Sequence, residues 1–176
     1  VMSWLEKKKI ATSRYDILIA SHYGMCFGVK HAIEATEHLL TSKPATILGQ
    51  LAHNPVVKSQ LDRQGAYSGK LESTAAPTSE MVITAHGASN KDRRRWHQVG
   101  YRVTDTTCPL VRVAHAKLAR LVAAGFQPVI IGKGGHVEVR GLQGDFPNAK
   151  VILYPDIDRI PHVKKIGLIA QTTQPI

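Results

Sequence analysis

Two cysteines and two of the histidines in this chain stand in a pattern that is written twice. Cys26-Phe-Gly-Val29-Lys30-His-Ala32 returns as Cys108-Pro-Leu-Val111-Arg112-Val-Ala114. Downstream, Ile47-Leu-Gly49-Gln-Leu-Ala-His53-Asn-Pro-Val56 returns as Ile130-Ile-Gly132-Lys-Gly-Gly-His136-Val-Glu138-Val139. Cys26 precedes His53 by 27 positions and Cys108 precedes His136 by 28. The chain holds no other cysteine. Duplicated copies commonly pack around a pseudo-symmetry axis. Each copy is then expected to bring one thiol and one imidazole to a shared centre, which makes a metal or redox site the leading idea.

The elements that must position these residues alternate between strand and helix. Asp16–Ala20 reads as a strand, followed by a helix whose face is Val29, Ala32, Ile33, Thr36, Leu39 and Leu40. Strands at Ala45–Gly49, Met81–Ala85 and Tyr101–Val103 follow. Asn54-Pro55 opens a helix that stops at Gly65, because Asn caps and the missing N–H of proline costs nothing in the first turn. The second copy repeats the programme: a helix stripe of Val111, Ala114, Leu118, Leu121 and Val122 ending at Gly125, then strands at Pro128–Ile131, Val151–Leu153 and Gly167–Ala170. Residues 66–79 read as a surface loop. The expected fold class is α/β, with two pseudo-symmetric lobes, each a small mainly parallel sheet flanked by helices.

In such sheets ligands collect beyond the carboxyl ends of the strands, where the marked residues fall. Cys26 and Cys108 each lie between a strand and a helix, facing the positive helix terminus that favours a metal-binding thiolate. His53, His86 and His136 occupy three post-strand turns. An imidazole donates a hydrogen bond in either protonation state, so three of them make an anion cradle, helped by free backbone N–H groups at helix starts. Glu138 is an acid beside that cradle, and Gln171-Thr172-Thr173 offers neutral hydrogen-bonding groups at the repeat position of His86-Gly87. The plainer readings are a Cys that acts as a small hydrophobe, a Glu138 that is a surface carboxylate, and ordinary surface or core roles for His22, His31, His38, His97, His115 and His162. The Gly132–Gly135 turn matches neither a P-loop nor the dinucleotide pattern.

The 176 residues carry a formal net charge of +10, which calls for an anionic partner. Lys7-Lys8-Lys9 and the Lys91–Arg95 run are read as solvated faces, since no RNA- or DNA-reading motif accompanies them; a nucleic-acid partner is not expected. No apolar run approaches the ~20 residues that span a bilayer, and no membrane partner is expected. Two cysteines are too few for a disulfide scaffold. A reducing, cytoplasmic setting follows.

Together, Gly24-Met-Cys26-Phe-Gly-Val29, His53-Asn54, Ala85-His86-Gly87, Thr107-Cys108-Pro109-Leu-Val111, Gly135-His136-Val-Glu138-Val139 and Gln171-Thr172-Thr173 resemble the motifs of the 4-hydroxy-3-methylbut-2-enyl diphosphate reductase family (LytB/IspH), in family order. The resemblance implies a trefoil of α/β lobes around a 4Fe-4S cluster. It implies removal of the allylic hydroxyl to give isopentenyl and dimethylallyl diphosphate in isoprenoid biosynthesis, with ferredoxin or flavodoxin as electron donor. Carried over, Cys26 and Cys108 are cluster ligands, His53, His86, His136 and Asn54 hold the diphosphate, Glu138 supplies protons and Thr172 belongs to its hydrogen-bond relay.

Two of the three family lobes are accounted for: residues 1–107, whose leading segment 1–25 is expected to belong with the third lobe, and residues 108–176. The family's third lobe and third cysteine have no counterpart, so the chain is expected to be an incomplete, inactive portion. Phe27, Lys30-His31, Gln50 and Arg140 depart from the usual family residues and point to a divergent branch. A reductase of another substrate, a non-catalytic phosphate-ligand module of the same fold, and a zinc site of two Cys and a His are the alternatives.

Overall fold

The computed structural model describes residues 8–19, 24–153, 156–160 and 162–174. Lys7, Ala20 and His22 lie outside them. Three sheets organise the chain. Strands β1 (Lys8–Ala11) and β2 (Asp16–Ile19) pair antiparallel as a hairpin. Its turn is closed by Thr12, whose hydroxyl donates to the Tyr15 carbonyl at 2.8 Å and accepts from the Tyr15 amide at 2.9 Å. The second sheet holds β3 (Ala45–Leu48), β4 (Ala66–Gly69), β5 (Glu80–Ile83) and β6 (Arg102–Asp105) in the order β4-β3-β5-β6, all parallel. The third holds β7 (Gln127–Ile131), β8 (Lys150–Ile152) and β9 (Ile166–Ala170) in the order β8-β7-β9, also parallel.

The duplication is visible in that order. In each copy a helix that begins after a cysteine leads to the middle strand, β3 or β7. The next strand pairs on one side of it and the one after on the other. The leading helices are α1 (Phe27–Leu40) and α4 (Pro109–Ala123); α2 (Pro55–Arg63) and α5 (Val137–Asp145) follow the middle strands. Buried Ala32, Thr36 and Leu40, with Val29, Ile33 and Leu39 packed beside them, form the expected face of α1. Asn54 caps α2, its Oδ1 accepting from the amides of Val56 and Val57 at 2.9 and 3.3 Å. On α4 the buried stripe is Val111, Ala114 and Leu118, while Val122 is exposed. A fully buried Val or Leu side chain contributes about 1.5–3 kcal/mol, so Leu40 on α1 and Val111 and Leu118 on α4 are the main anchors of these helices.

Four elements depart from the sequence reading. The segment read as a loop over 66–79 begins with β4, an edge strand whose Ala-Tyr-Ser-Gly composition carries little β-propensity; pairing to β3 fixes it. Strand β1, unmarked in the sequence reading, pairs antiparallel with β2, the strand expected from Asp16. The Lys91–Arg95 run lies in helix α3 (Asn90–Gln98), capped by Ser89. Lys91 and Arg94 are exposed, but Arg93 and Arg95 are half-buried: Arg95 donates to the carbonyls of Leu71 and Ser73 and lies 4.9 Å over the buried Trp96 ring. Helix α5 has two internal glycines, each worth about 1 kcal/mol against helix, which hide it from a periodicity reading. Among the described residues no helix is long and apolar enough to cross a membrane.

Candidate functional site

The three histidines converge from both parallel sheets. His53 leaves β3, His86 leaves β5 and His136 leaves β7. The His53 and His86 ring centroids are 6.1 Å apart, and those of His86 and His136 are 5.5 Å apart. Asp-free turns place them there: Gly87 takes φ +78°, a conformation that L side chains rarely adopt, and its amide donates to the Thr84 carbonyl at 2.9 Å. The His86 Nδ1 lies 3.4 Å from the Thr84 hydroxyl. Burial first, then the neighbouring His136 and His53, push the His86 ring below its ordinary value of 6.5.

His136 caps helix α5. Its Nδ1 accepts from the Glu138 amide at 3.2 Å. The neutral ring therefore carries its hydrogen on Nε2, free to donate elsewhere. Glu138, in the first turn of α5, is 1% exposed. Its two carboxylate oxygens accept from the Thr172 amide and hydroxyl, each at 2.8 Å. Thus the acid singled out from the sequence is buried and gripped by the threonine expected beside it.

Gln171 turns inward instead of offering itself to a ligand. It is buried; its Oε1 accepts from the Lys133 amide at 3.0 Å and its amide donates to Thr173 Oγ1 at 2.6 Å. Asn54 spends its Oδ1 on the α2 cap, so only its amide nitrogen is left for an external acceptor. Of the histidines given ordinary roles, His31, His38, His97 and His162 are exposed. His115 is not ordinary: it lies 3.3 Å from Asp145 at the junction of the two parallel sheets' helices. Nothing in the sequence marks that pair.

Both cysteines precede the first residue of a helix and neither side chain caps it. Cys26 is exposed and Cys108 half-buried against the core of the first sheet. Gly28, in the first turn of α1, approaches Cys108 so closely that a Cβ there would lie 2.6 Å from the Cys108 sulfur. The two N-termini therefore abut across the sheets. Behind Cys108, Asp105 accepts from Arg93 Nε at 2.9 Å, from the Thr107 amide at 3.0 Å and from the Thr107 hydroxyl, with Arg112 at 3.1 Å.

Among the described residues no three His, Cys, Asp or Glu side chains are grouped to hold a metal ion. Neither the zinc site of two Cys and a His nor a full ligand set for a four-iron cluster, which takes about four thiolates or three with one open position, is assembled there. Two thiols at neighbouring helix starts are part of such a donor set and do not make one alone.

The family model described as "LytB protein" matches residues 17–176. The chain belongs to the LytB family. It is 31% identical over 162 residues to the 4-hydroxy-3-methylbut-2-enyl diphosphate reductase of Geobacter sp. (strain M21), covering 90% of this chain and 57% of that protein. It is 32% identical over 166 residues to the reductase of the same name from Aquifex aeolicus (strain VF5), again covering 90% and 57%. Two solved structures share the fold. One is the E-1-hydroxy-2-methyl-but-2-enyl-4-diphosphate reductase from Plasmodium falciparum, with TM-score 0.80 and 27% identity over 88% of this chain and 50% of that one. The other is an (E)-4-hydroxy-3-methyl-but-2-enyl diphosphate reductase, with TM-score 0.77 and 31% identity over 90% and 59%. The chain thus spans little more than half the length of these relatives.

Proposed function

We propose that this LytB-family chain supplies the diphosphate-holding and proton-supplying part of a 4-hydroxy-3-methylbut-2-enyl diphosphate reductase. The observation that carries the reading is the meeting of His53, His86 and His136 beside the buried Glu138–Thr172 pair. The division into lobes after Thr107 belongs to the same proposal, supported by the change of sheet across Cys108.

In this reading His136 donates from Nε2 to a phosphate oxygen. His86, held neutral by its surroundings, donates in the same way and takes up a proton as the anion's charge arrives. His53 and the Asn54 amide complete the cradle. Removing an allylic hydroxyl breaks one C–O bond and consumes two electrons and two protons, one leaving in water and one ending on carbon. Glu138, oriented by Thr172, delivers the proton to the departing oxygen. A 4Fe-4S cluster, when bound, supplies the electrons and metal assistance; Cys26, Cys108 and a donor from outside the described residues would hold it. Ferredoxin or flavodoxin is the proposed electron source and the cytoplasm the proposed location.

With two thiols only, the chain by itself is proposed to be inactive. Calorimetry of metal-free protein with inorganic diphosphate tests the cradle: micromolar binding that weakens about tenfold or more in His86→Asn supports it, and no binding overturns it. Anaerobic reconstitution with iron counting and a turnover assay tests the rest. Sustained turnover by this chain would refute its inactivity. Tight diphosphate binding with no iron uptake would favour the alternative of a non-catalytic phosphate-ligand module.

A further inference from the structure

Helix α5 carries His136 and Glu138 at one end and Asp145 at the other, and the far end is fastened to the first parallel sheet's side of the molecule. Asp145 Oδ1 accepts from the Asn90 backbone amide at 2.7 Å and Oδ2 from the Asn90 side-chain amide at 3.0 Å. Asn90 is the first residue of α3, so Asp145 serves a free first-turn N–H of a helix from the other sheet, with the favourable sign of charge for that terminus. On its other flank, His115 Nδ1 stands 3.3 Å from Asp145 Oδ2, with the two side chains 14% and 10% exposed. A carboxylate only accepts, so Nδ1 carries the hydrogen. The other ring nitrogen of His115 is buried without a partner.

The surrounding packing leaves α5 no room to slide. A Cβ on Gly144 would fall 2.6 Å from Ser89 Cβ, and one on Gly141 would fall 3.5 Å from the Ala88 carbonyl carbon and 3.7 Å from His115 Nε2. Ala88, Ser89 and Asn90 directly follow the His86-Gly87 turn. The helix that begins at His136 therefore lies on the segment that begins at His86, and α4, which Cys108 opens, contributes the His115 wedge.

We propose that Asp145, held between Asn90 and His115, is a positioning residue: an inter-lobe latch that sets the separation between His86 and His136. Its functional meaning rests on the diphosphate reading above; its existence does not. The charged groups facing the latch are Arg93 and Glu138. Burial and Arg93 push His115 below 6.5 while Asp145 and Glu138 oppose them.

The latch is tested by following the His86 imidazole titration by NMR in the full chain. His86 is held down in part by the nearness of His136 and His53, so separating the lobes should move its midpoint up toward 6.5. Asp145→Ala is expected to do so; Asn90→Ala, which loses the side-chain bond and keeps the backbone amide on Asp145, is expected to do so to a smaller extent, and the double variant to add nothing beyond Asp145→Ala. Asp145→Asn, which keeps an acceptor for the Asn90 amide, is expected to restore part of the shift. Ile130→Val, a loss of packing inside the second sheet, should leave the midpoint in place, which separates a latch from general destabilisation. If Asp145→Ala does not fold, Asn90→Pro carries the test: it removes both donors to Asp145 at an exposed first helical position that tolerates proline. An unchanged His86 midpoint in folded Asn90→Pro overturns the proposal. In the same samples, inorganic diphosphate should bind about tenfold more weakly to the latch variants. Absence of binding by the unsubstituted chain would sink the diphosphate reading, while the titration still decides the latch.

Discussion

Glu138 and Thr172, 34 positions apart, are joined twice: the threonine amide donates to Oε1 and its hydroxyl to Oε2, both at 2.8 Å. Glu138 is almost wholly buried, so Thr172 is what compensates its carboxylate for the water it has lost. Thr172→Val keeps the amide bond and the side-chain shape but leaves Oε2 unpartnered. A buried acceptor without a donor costs about 1–3 kcal/mol. Denaturant unfolding should report a loss in that range, and Thr172→Ser should recover most of it. A loss below about 0.5 kcal/mol in Thr172→Val would mean that the hydroxyl bond is dispensable to the fold.

The histidine cluster predicts a specific acid sensitivity. His86 titrates below 6.5 in the folded chain, and so does His115. The unfolded chain binds protons at about 6.5 that the folded one refuses, so stability is unaffected above that value, falls as pH drops below it, and levels once the folded groups have titrated. Unfolding midpoints measured between pH 7 and 5 should decline, and less so in His86→Asn. A diphosphate reverses the sign at His86: its negative charge favours the protonated ring. Binding should tighten between pH 7 and 6 with net proton uptake, read by calorimetry in two buffers of different ionisation enthalpy. Proton release on binding would contradict the cradle.

Residue type and spacing made part of this legible. The two copies were readable because cysteine, histidine and the Asn54-Pro55 cap are rare enough to align, and because buried faces such as Val111, Ala114 and Leu118 follow helical periodicity without interruption. Helix α5 was hidden for a physical reason: Gly141 and Gly144 lower helix propensity, yet they are what lets the helix lie against Ala88 and Ser89. Strand β4 was hidden because its side chains do not ask for a strand; its partner β3 does. Arg93 looked like solvent-facing charge, since nothing local announces an Asp105 twelve residues away. His115 and Asp145 could not be paired from sequence, because two helices must first be packed before they meet.

Gly28 ties the two copies at their cysteines, and it should be intolerant of a methyl group. In Gly28→Ala the new carbon would overlap the Cys108 sulfur at 2.6 Å, so either α1 or the thiol must move. Overpacking of this kind costs about 1–3 kcal/mol. If the clash is with the sulfur, Cys108→Ala in the same chain should relieve part of it, and the double variant should be more stable than the sum of the singles predicts. Strict additivity in thermal or urea unfolding would show that the strain lies in the α1 backbone instead.

Asp105 fixes the turn that presents Cys108, and its charge state should set how far into acid the turn survives. Burial pushes the Asp105 carboxyl up, but the hydrogen bonds from Thr107 and the charges of Arg93 and Arg112 outweigh it, and the group titrates below its ordinary value of 3.8. A carboxyl depressed by folding stabilises the fold at every pH above 3.8, and that contribution is lost as pH falls from 3.8 through the folded value. Asp105→Asn cannot accept from Arg93, Arg112 and Thr107 together, and should cost about 1–3 kcal/mol at pH 7. The gap between the two proteins should narrow as pH is lowered beneath 3.8, because the unsubstituted chain then forfeits what the variant never had. A gap that stays constant down to pH 2, measured by urea unfolding at each pH, would show that the Asp105 charge is not what holds the turn.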